Sequence, residues 1–352
     1  MDFGNSMESH ARGAGSQRHH DAFREFFTQV QICEDGGMDY VWISEHHFSP
    51  ETSFGSASMV MSGAVAAITD RIKIGSSIVV LPIHNPLHVA EEASVLDHVS
   101  EGRFELGVGR AGGVKHYQGF NADYSESQER FSECLEVVDR ALRDECFSYE
   151  GKYYKYDNVQ MTPRPLTSPR PQIRWAVNSN STFRMAGKLG MPIFCGVLQL
   201  SITELTELLD SYDAAKIEAG FISPRDVKLR IPVYVSDTMD DALKTPKEGL
   251  MFRYESAMQI LQNMVDSGQA NNLGERADRI TKLGDLGWED IYRSEKAIIG
   301  TPDVVAHKIK DIGDELQLSG MVLEFNPGER LPEVKINRSL ELFCEKVIPQ
   351  FK

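Results

Sequence analysis

Three stretches of this sequence combine residue types that could do chemistry together. Glu45-His46-His47 sets two imidazoles beside a carboxylate, giving a group that titrates near neutral pH and a partner to tune it. Surface polarity, or a histidine held by structural hydrogen bonds, explains the triplet about as well. The paired histidines lack the HExxH spacing of zinc proteases, so no metal is expected. Gly107-Val108-Gly109-Arg110-Ala111-Gly112-Gly113 joins glycines that let a backbone approach a ligand to an arginine that can clamp a phosphate. Asn178-Ser179-Asn180-Ser181-Thr182 brings hydroxyls and free N–H groups to the start of a helix, where anions bind. Ordinary N-capping is the plainer explanation of that cluster. Arg110 and the Asn178–Thr182 cluster would sit on neighbouring strands, and their convergence favours a phosphorylated cofactor. Ser76-Ser77-Ile78, by itself, reads as core strand with tolerated hydroxyls. His84, His88 and His98 read as structural or solvated, with no acidic third ligand in view.

Such residues need a scaffold, and the pattern supplies one. Short β-like runs alternate with helical ones: Asp2–Asn5, Met38–Ile43, Ile72–Leu81, Arg103–Gly109, Ile173–Val177, Pro192–Gly196, Val227–Val235 and Met321–Phe325. Helices are expected over Asp21–Asp35, Ser56–Thr69, Pro86–Val99, Ser125–Cys146, Thr182–Leu189, Thr203–Ala219, Pro302–Leu316 and Glu333–Val347. Thr301-Pro302 gives an N-cap followed by proline at the first helical position. About eight strands, each followed by a helix, predict an α/β fold, a closed (β/α)8 TIM barrel. A doubly wound sheet is the rival, and no GxGxxG follows the first strand. One domain spans 1–352. Tyr149–Thr162 reads as an external hairpin. Residues 239–298 exceed one barrel helix and read as an insertion of two or three helices near the seventh strand. The composition of Gly268–Arg276 suits a mobile lid.

The bulk properties narrow the function. The chain has 352 residues and a formal net charge of −15. An acidic surface repels phosphate backbones and anionic membranes, so neither nucleic acid nor membrane is an expected partner. Five cysteines without a CxxC pair, and no signal-like or membrane-spanning run, point to a reducing cytoplasm.

Several segments together resemble the bacterial luciferase-like flavin-dependent monooxygenases. They are Met1–Asn5, Gly37–Phe48 with its EHHF, Ile74–Pro82, Leu96–Phe104, Gly107–Arg110 and Gly300–Pro302. The resemblance implies a (β/α)8 barrel, often a homodimer, that binds reduced FMN supplied by a separate flavin reductase. With O2 as co-substrate, it would oxygenate a small organic substrate such as an aldehyde or ketone. His46 matches the family's active-site histidine, with Glu45 and His47 setting its protonation or orientation. Arg110, Ser179 and Thr182 match the phosphate-holding positions, and Gly109, Asn178 and Ser181 stand beside them. Ser77-Ile78 falls where relatives carry a non-prolyl cis peptide against the flavin. Luciferase has a reactive cysteine where Gly109 stands and a glutamate where Asn178 stands, and the first loop differs around Ser6–Gly15. These departures weaken light emission and long-chain aldehydes as expectations, not flavin binding. Two other readings stay open: hydride transfer with the deazaflavin F420, and a non-catalytic flavin-binding protein.

Overall fold

The computed structural model describes residues 1–8, 15–48, 55–111, 114–266 and 273–352. Its strands are β1 Asp2–Met7, β2 Tyr40–Ile43, β3 Lys73–Ser76, β4 Val79–Val80, β5 Phe104–Gly109, β6 Phe147–Glu150, β7 Lys155–Val159, β8 Ile173–Ala176, β9 Ile193–Gly196, β10 Val227–Val235, β11 Ile298–Gly300 and β12 Gly320–Glu324. The helices are α1 Ser16–Asp35, α2 Ser58–Ala66, α3 Pro86–Val99, α4 Val114–Gly119, α5 Ser127–Arg143, α6 Asn180–Lys188, α7 Ile202–Glu218, α8 Met239–Lys244, α9 Lys247–Asp266, α10 Leu273–Gly284, α11 Trp288–Arg293, α12 Pro302–Leu316 and α13 Glu333–Leu342.

Eight parallel strands close on themselves in the order β1-β2-β3-β5-β8-β9-β10-β12, with β12 returning to β1. The ring is the (β/α)8 barrel that the sequence pattern predicts, and its strands are buried over almost their whole length because both faces are covered. The lumen is filled rather than hollow. Trp42 lies stacked on Tyr40 at 4.7 Å and edge-on to Phe194 at 4.8 Å. Glycines on the flanking strands admit that indole. A Cβ at Gly75 would stand 2.0 Å from Trp42 Cζ3, and one at Gly4 would stand 2.4 Å from Trp42 Nε1. Below it, the Lys228 ammonium sits 4.2 Å from the Tyr40 ring centroid and 2.9 Å from Asp2 Oδ2. The filled lumen leaves the C-terminal mouth of the barrel to a ligand.

Three differences from the pattern matter for the site. The run Ile72–Leu81 is not one strand. It breaks after Ser76, passes a cis Ser77–Ile78 peptide, and resumes as β4 before a 3₁₀ turn at Leu81–Ile83. Ser76 Oγ accepts from the Gly107 N–H at 2.9 Å and donates to the Gly107 carbonyl at 2.9 Å, so a side chain takes over where the ladder stops. The described residues of 239–298 hold four helices, α8 to α11, where two or three are expected, and they end in β11, an additional strand paired with β10. The hairpin expected over Tyr149–Thr162 is β6–β7. Part of Gly268–Arg276, part of Ser6–Gly15, and Gly112-Gly113 lie outside the described residues. Among the described residues no helix is long and apolar enough to cross a membrane.

Candidate active site

β2 ends at Ile43, and the chain runs over the mouth as Ser44-Glu45-His46-His47-Phe48. The loop is fastened by its own side chains. Glu45 Oε1 lies 2.8 Å from His47 Nε2 and 2.8 Å from His84 Nε2, so one carboxylate oxygen receives two imidazole N–H groups. Burial alone would raise the Glu45 carboxyl. The two histidine hydrogen bonds outweigh it and hold the group below its ordinary value. Burial depresses His84, but its hydrogen bond to Glu45 wins and the imidazole is shifted upward. His47 is walled in by rings, with Phe120 at 4.8 Å and His116 at 5.8 Å, both edge-on. Among the described residues, Glu45, His47 and His84 are also the group placed to hold a metal ion. Their ligand atoms lie within 4.8 Å of one another. The 2.8 Å separations are those of N–H···O hydrogen bonds.

His46 points the other way. It lines a cavity of about 710 Å³ at the mouth of the barrel, together with Glu45, Ser77 and Ile78. The His46 side chain is 32% exposed, and its Nε2 lies 3.9 Å from Glu8 Oε1. His116, on α4, lines the same cavity with its ring 6.2 Å from that of His46. Burial first, and then the neighbouring His46 and His47, push His116 down to about 4, so it is neutral at physiological pH. Sequence reasoning passed over His116, and it read His84 as structural or solvated with no acidic third ligand in view; the structure supplies that acid as Glu45. His84 is 39 residues from the carboxylate it meets, and only the packing of the turn after β4 against the β2 loop joins them.

The cavity wall continues into a buried charge network. Glu324, at the end of β12, receives the Arg230 Nε–H, and Arg230 also donates to Glu8. Arg253 of α9 grips the same carboxylate from the other side, Nε to Oε2 at 2.6 Å and Nη2 to Oε1 at 2.5 Å. Burial would raise the Glu324 carboxyl, and the two guanidiniums outweigh it and keep it ionised.

The residues expected to hold a phosphate lie beside this cavity rather than in its lining. β5 pairs directly with β8, so Arg110 and the Asn178–Thr182 cluster leave adjacent strands at the same end of the barrel. Ser179 caps α6. Its Oγ accepts from the Thr182 N–H at 3.4 Å, while Thr182 Oγ1 accepts from the Ser179 N–H at 3.1 Å. Ser181 Oγ is 3.1 Å from Ser179 Oγ, and the Asn178 N–H reaches Thr182 Oγ1 at 3.3 Å. The Arg110 carbonyl accepts from the Tyr117 hydroxyl at 2.5 Å, which fixes the backbone there. Gly109 faces Ile78. A Cβ at this position would stand 2.4 Å from Ile78 Cδ1, so the cysteine of luciferase would have to displace that side chain. The insertion reaches this corner as well. Arg279 of α10 donates to the Asn178 carbonyl at 2.9 Å and to Gln199 Oε1 at 2.9 Å.

Comparison with known proteins agrees with this architecture. The family model for luciferase-like monooxygenases matches residues 1–316. The alkanal monooxygenase alpha chain of the Kryptophanaron alfredi symbiont is 24% identical over 100% of this chain and 99% of its own length. Among solved structures, monooxygenase RslO1 from Streptomyces bottropensis superposes with a TM-score of 0.79 at 25% identity, covering 100% of both chains. The oxygenating constituent of 3,6-diketocamphane monooxygenase from Pseudomonas putida, a complex with FMN, gives 0.77 at 20% identity over 99% and 98%. The same barrel serves an F420-dependent secondary alcohol dehydrogenase, with a TM-score of 0.73 at 18% identity over 100% and 99%. The last two likenesses concern the fold alone. The barrel, the EHHF loop at its mouth and the match over most of its length place this chain in the luciferase-like monooxygenase family.

Proposed function

We propose that the chain is a flavin-dependent monooxygenase. It would take reduced FMN from a separate reductase and use O2 to oxygenate a small organic substrate. The observation that carries the reading is His46, which faces the cavity at the barrel mouth beside Ser77–Ile78, with an anion-binding corner on the adjacent strands. The residues suit a flavin. With no side chain at Gly109, Ile78 packs directly against β5 and lines the cavity, and the capped start of α6 presents hydroxyls and N–H groups next to Arg110. Arg110, Asn178, Ser179, Ser181 and Thr182 would hold its phosphate, and Ser77, Ile78 and Gly109 would meet its ring. The bound reduced flavin supplies the electrons that activate O2.

The chain's own part is to bind, orient and move a proton. His46 is the acid/base, giving or taking a proton at Nε2, where Glu8 offers a nearby negative charge. Glu45 does not act on substrate. It holds His47 and His84 and so fixes the loop from which His46 projects. α9, whose Phe252, Ser256 and Ile260 line the cavity, helps to keep water out.

The test is turnover with reduced FMN and O2 across a panel of aldehydes and ketones. His46→Ala should lower product formation by about 10²–10⁴-fold, the usual contribution of an acid/base group, with FMN affinity within twofold. Equal turnover in the variant sinks the assignment. Oxygen consumption separates this reading from F420 chemistry. No substrate-dependent NADH use with a coupled reductase would favour a non-catalytic flavin binder. The working form is proposed to be a homodimer in a reducing compartment, a setting that suits the five free cysteines.

A further inference from the structure

Glu45, His47 and His84 bring one carboxylate and two imidazoles together, with a ligand atom of each within 4.8 Å of the others. Two histidines and a glutamate are the donor set that holds zinc in several hydrolases. Imidazole nitrogen suits zinc, copper and nickel, whereas calcium and magnesium take oxygen ligands. The other histidine–carboxylate pairs fall short of this set. His88–Glu92 and His307–Asp311 are exposed pairs with one imidazole each, and His46 stands 3.9 Å from Glu8.

The geometry is close to what an ion needs. Both imidazoles present Nε2 to the same oxygen, Glu45 Oε1, at 2.8 Å. Metal–ligand bonds of about 2.0–2.2 Å put tetrahedral ligands about 3.3 Å apart, so each contact has to widen by about half an ångström. His84 has the freedom to do so. It follows the 3₁₀ turn Leu81–Ile83, outside any strand or helix, and its side chain is 32% exposed. His47 is the fixed ligand, buried against the rings of Phe120 and His116. Glu45 borders the cavity, so the cluster lies against solvent-accessible space. On binding, each Nε2 exchanges its hydrogen for the ion. The ring proton passes to Nδ1 in a neutral histidine and to solvent in a charged one.

We propose that Glu45, His47 and His84 form a binding site for one divalent transition-metal ion of the zinc class, with solvent completing its coordination on the His84 side. The ion and the pair of hydrogen bonds are alternative clasps on one loop. Either one holds the segment after β2 and leaves His46 facing the cavity. The site uses no flavin, so it stands or falls apart from the monooxygenase reading.

The experiment is calorimetric titration of the purified, EDTA-treated and dialysed chain with ZnCl2, and separately with CaCl2 and MgCl2. Zn²⁺ should bind one ion per chain with a dissociation constant of about 10 μM or below, and at least about a hundredfold tighter than Ca²⁺ or Mg²⁺. His84→Gln keeps an N–H donor for Glu45 and removes the imidazole, and it should weaken Zn²⁺ binding at least about tenfold. His88→Gln, at an exposed pair, should leave it within twofold. A measurement on the unaltered chain needs no variant. One equivalent of CoCl2 should give the intense visible bands of four- or five-coordinate Co²⁺, which the pale hexaaqua ion lacks, and one equivalent of ZnCl2 should abolish them. Zn²⁺ should also raise the thermal unfolding midpoint of the unaltered chain more than that of His84→Gln. No binding at one equivalent, affinity undiminished in His84→Gln, Ca²⁺ or Mg²⁺ binding as tightly as Zn²⁺, a cobalt spectrum like that of the aqua ion, or equal thermal shifts in both proteins each overturns the proposal.

Discussion

Glu45 serves two imidazoles with one oxygen, and its loss has a pH signature. Its carboxyl is lowered from 4.5 in the folded chain, so its share of stability is present above that value and is lost as pH falls through the lowered one. His84 is raised from 6.5, so its share is complete below that value and is lost as pH rises through the raised one. The two shares overlap between pH 4.5 and 6.5. Glu45→Gln should therefore destabilise most near the middle of that window and less at pH 8.5. Urea melts of both proteins at the two pH values check this, and a penalty that grows toward pH 8.5 contradicts it. At this scale the sequence was half legible. Glu45-His46-His47 was visible as chemistry, but nothing local told which imidazole faces the cavity. Burial of His47 among Phe48, Phe120 and His116 decides that, and two of those rings, Phe120 and His116, come from distant positions.

At the scale of elements, α10 is the insertion helix that touches the proposed phosphate corner. Arg279 meets the Asn178 carbonyl and Gln199, and Lys282 meets Glu204 at 2.6 Å. The Lys282 pair is solvent-exposed and adds little. The two Arg279 bonds, one of them to an exposed backbone carbonyl, are the firmer link. Arg279→Ala should loosen α10 from the barrel and raise thermolysin cleavage within the insertion by roughly tenfold, the effect of losing a contact worth about 1.4 kcal/mol. Added FMN should slow cleavage of the unaltered protein more than of the variant. Unchanged cleavage would mean that α10 is held by its apolar face alone. Element boundaries show what a pattern can carry. Pro86–Val99, Pro302–Leu316 and Val227–Val235 stand where the sequence puts them, because proline starts and a long β-branched run are strong local signals. The break at Ser77–Ile78 was invisible to the pattern. Every residue of Ile72–Leu81 suits a strand, and the interruption is set by Gly107 across the ladder. β11 escaped for the opposite reason: three residues are too few to register as a period.

The whole molecule presents an apolar face on α2 and α3. Val60 is 71% exposed, Val99 50% and Val95 46%, and Leu166 adds a further apolar side chain at 54%. Ser94 Oγ donates to the Pro163 carbonyl at 2.7 Å, and His98 Nε2 lies 2.7 Å from the Arg164 carbonyl, so the segment bearing Leu166 is tied to α3. Clustered apolar exposure of this kind marks an interface more often than solvent. Val60→Glu with Val95→Glu should convert a dimer to a monomer in light scattering at micromolar concentration, with the thermal unfolding profile retained. A monomeric unaltered chain at that concentration removes this face as the dimer contact.

The pairing of β1 with β12 has a consequence for how the molecule is made. Asp2 lies opposite Gly320, so β1 gains that neighbour only when a far later part of the chain has been synthesised. At about 5–20 residues per second, translation leaves β1 waiting for some tens of seconds. During that interval the nascent chain is an open sheet with raw edges, the form most prone to pair with a stranger. Phe3 and Met7 need cover through the same period, and α1, the next segment out, brings Phe26, Val30 and Cys33 to the same core. The ring can be sealed only after β12 has left the ribosome.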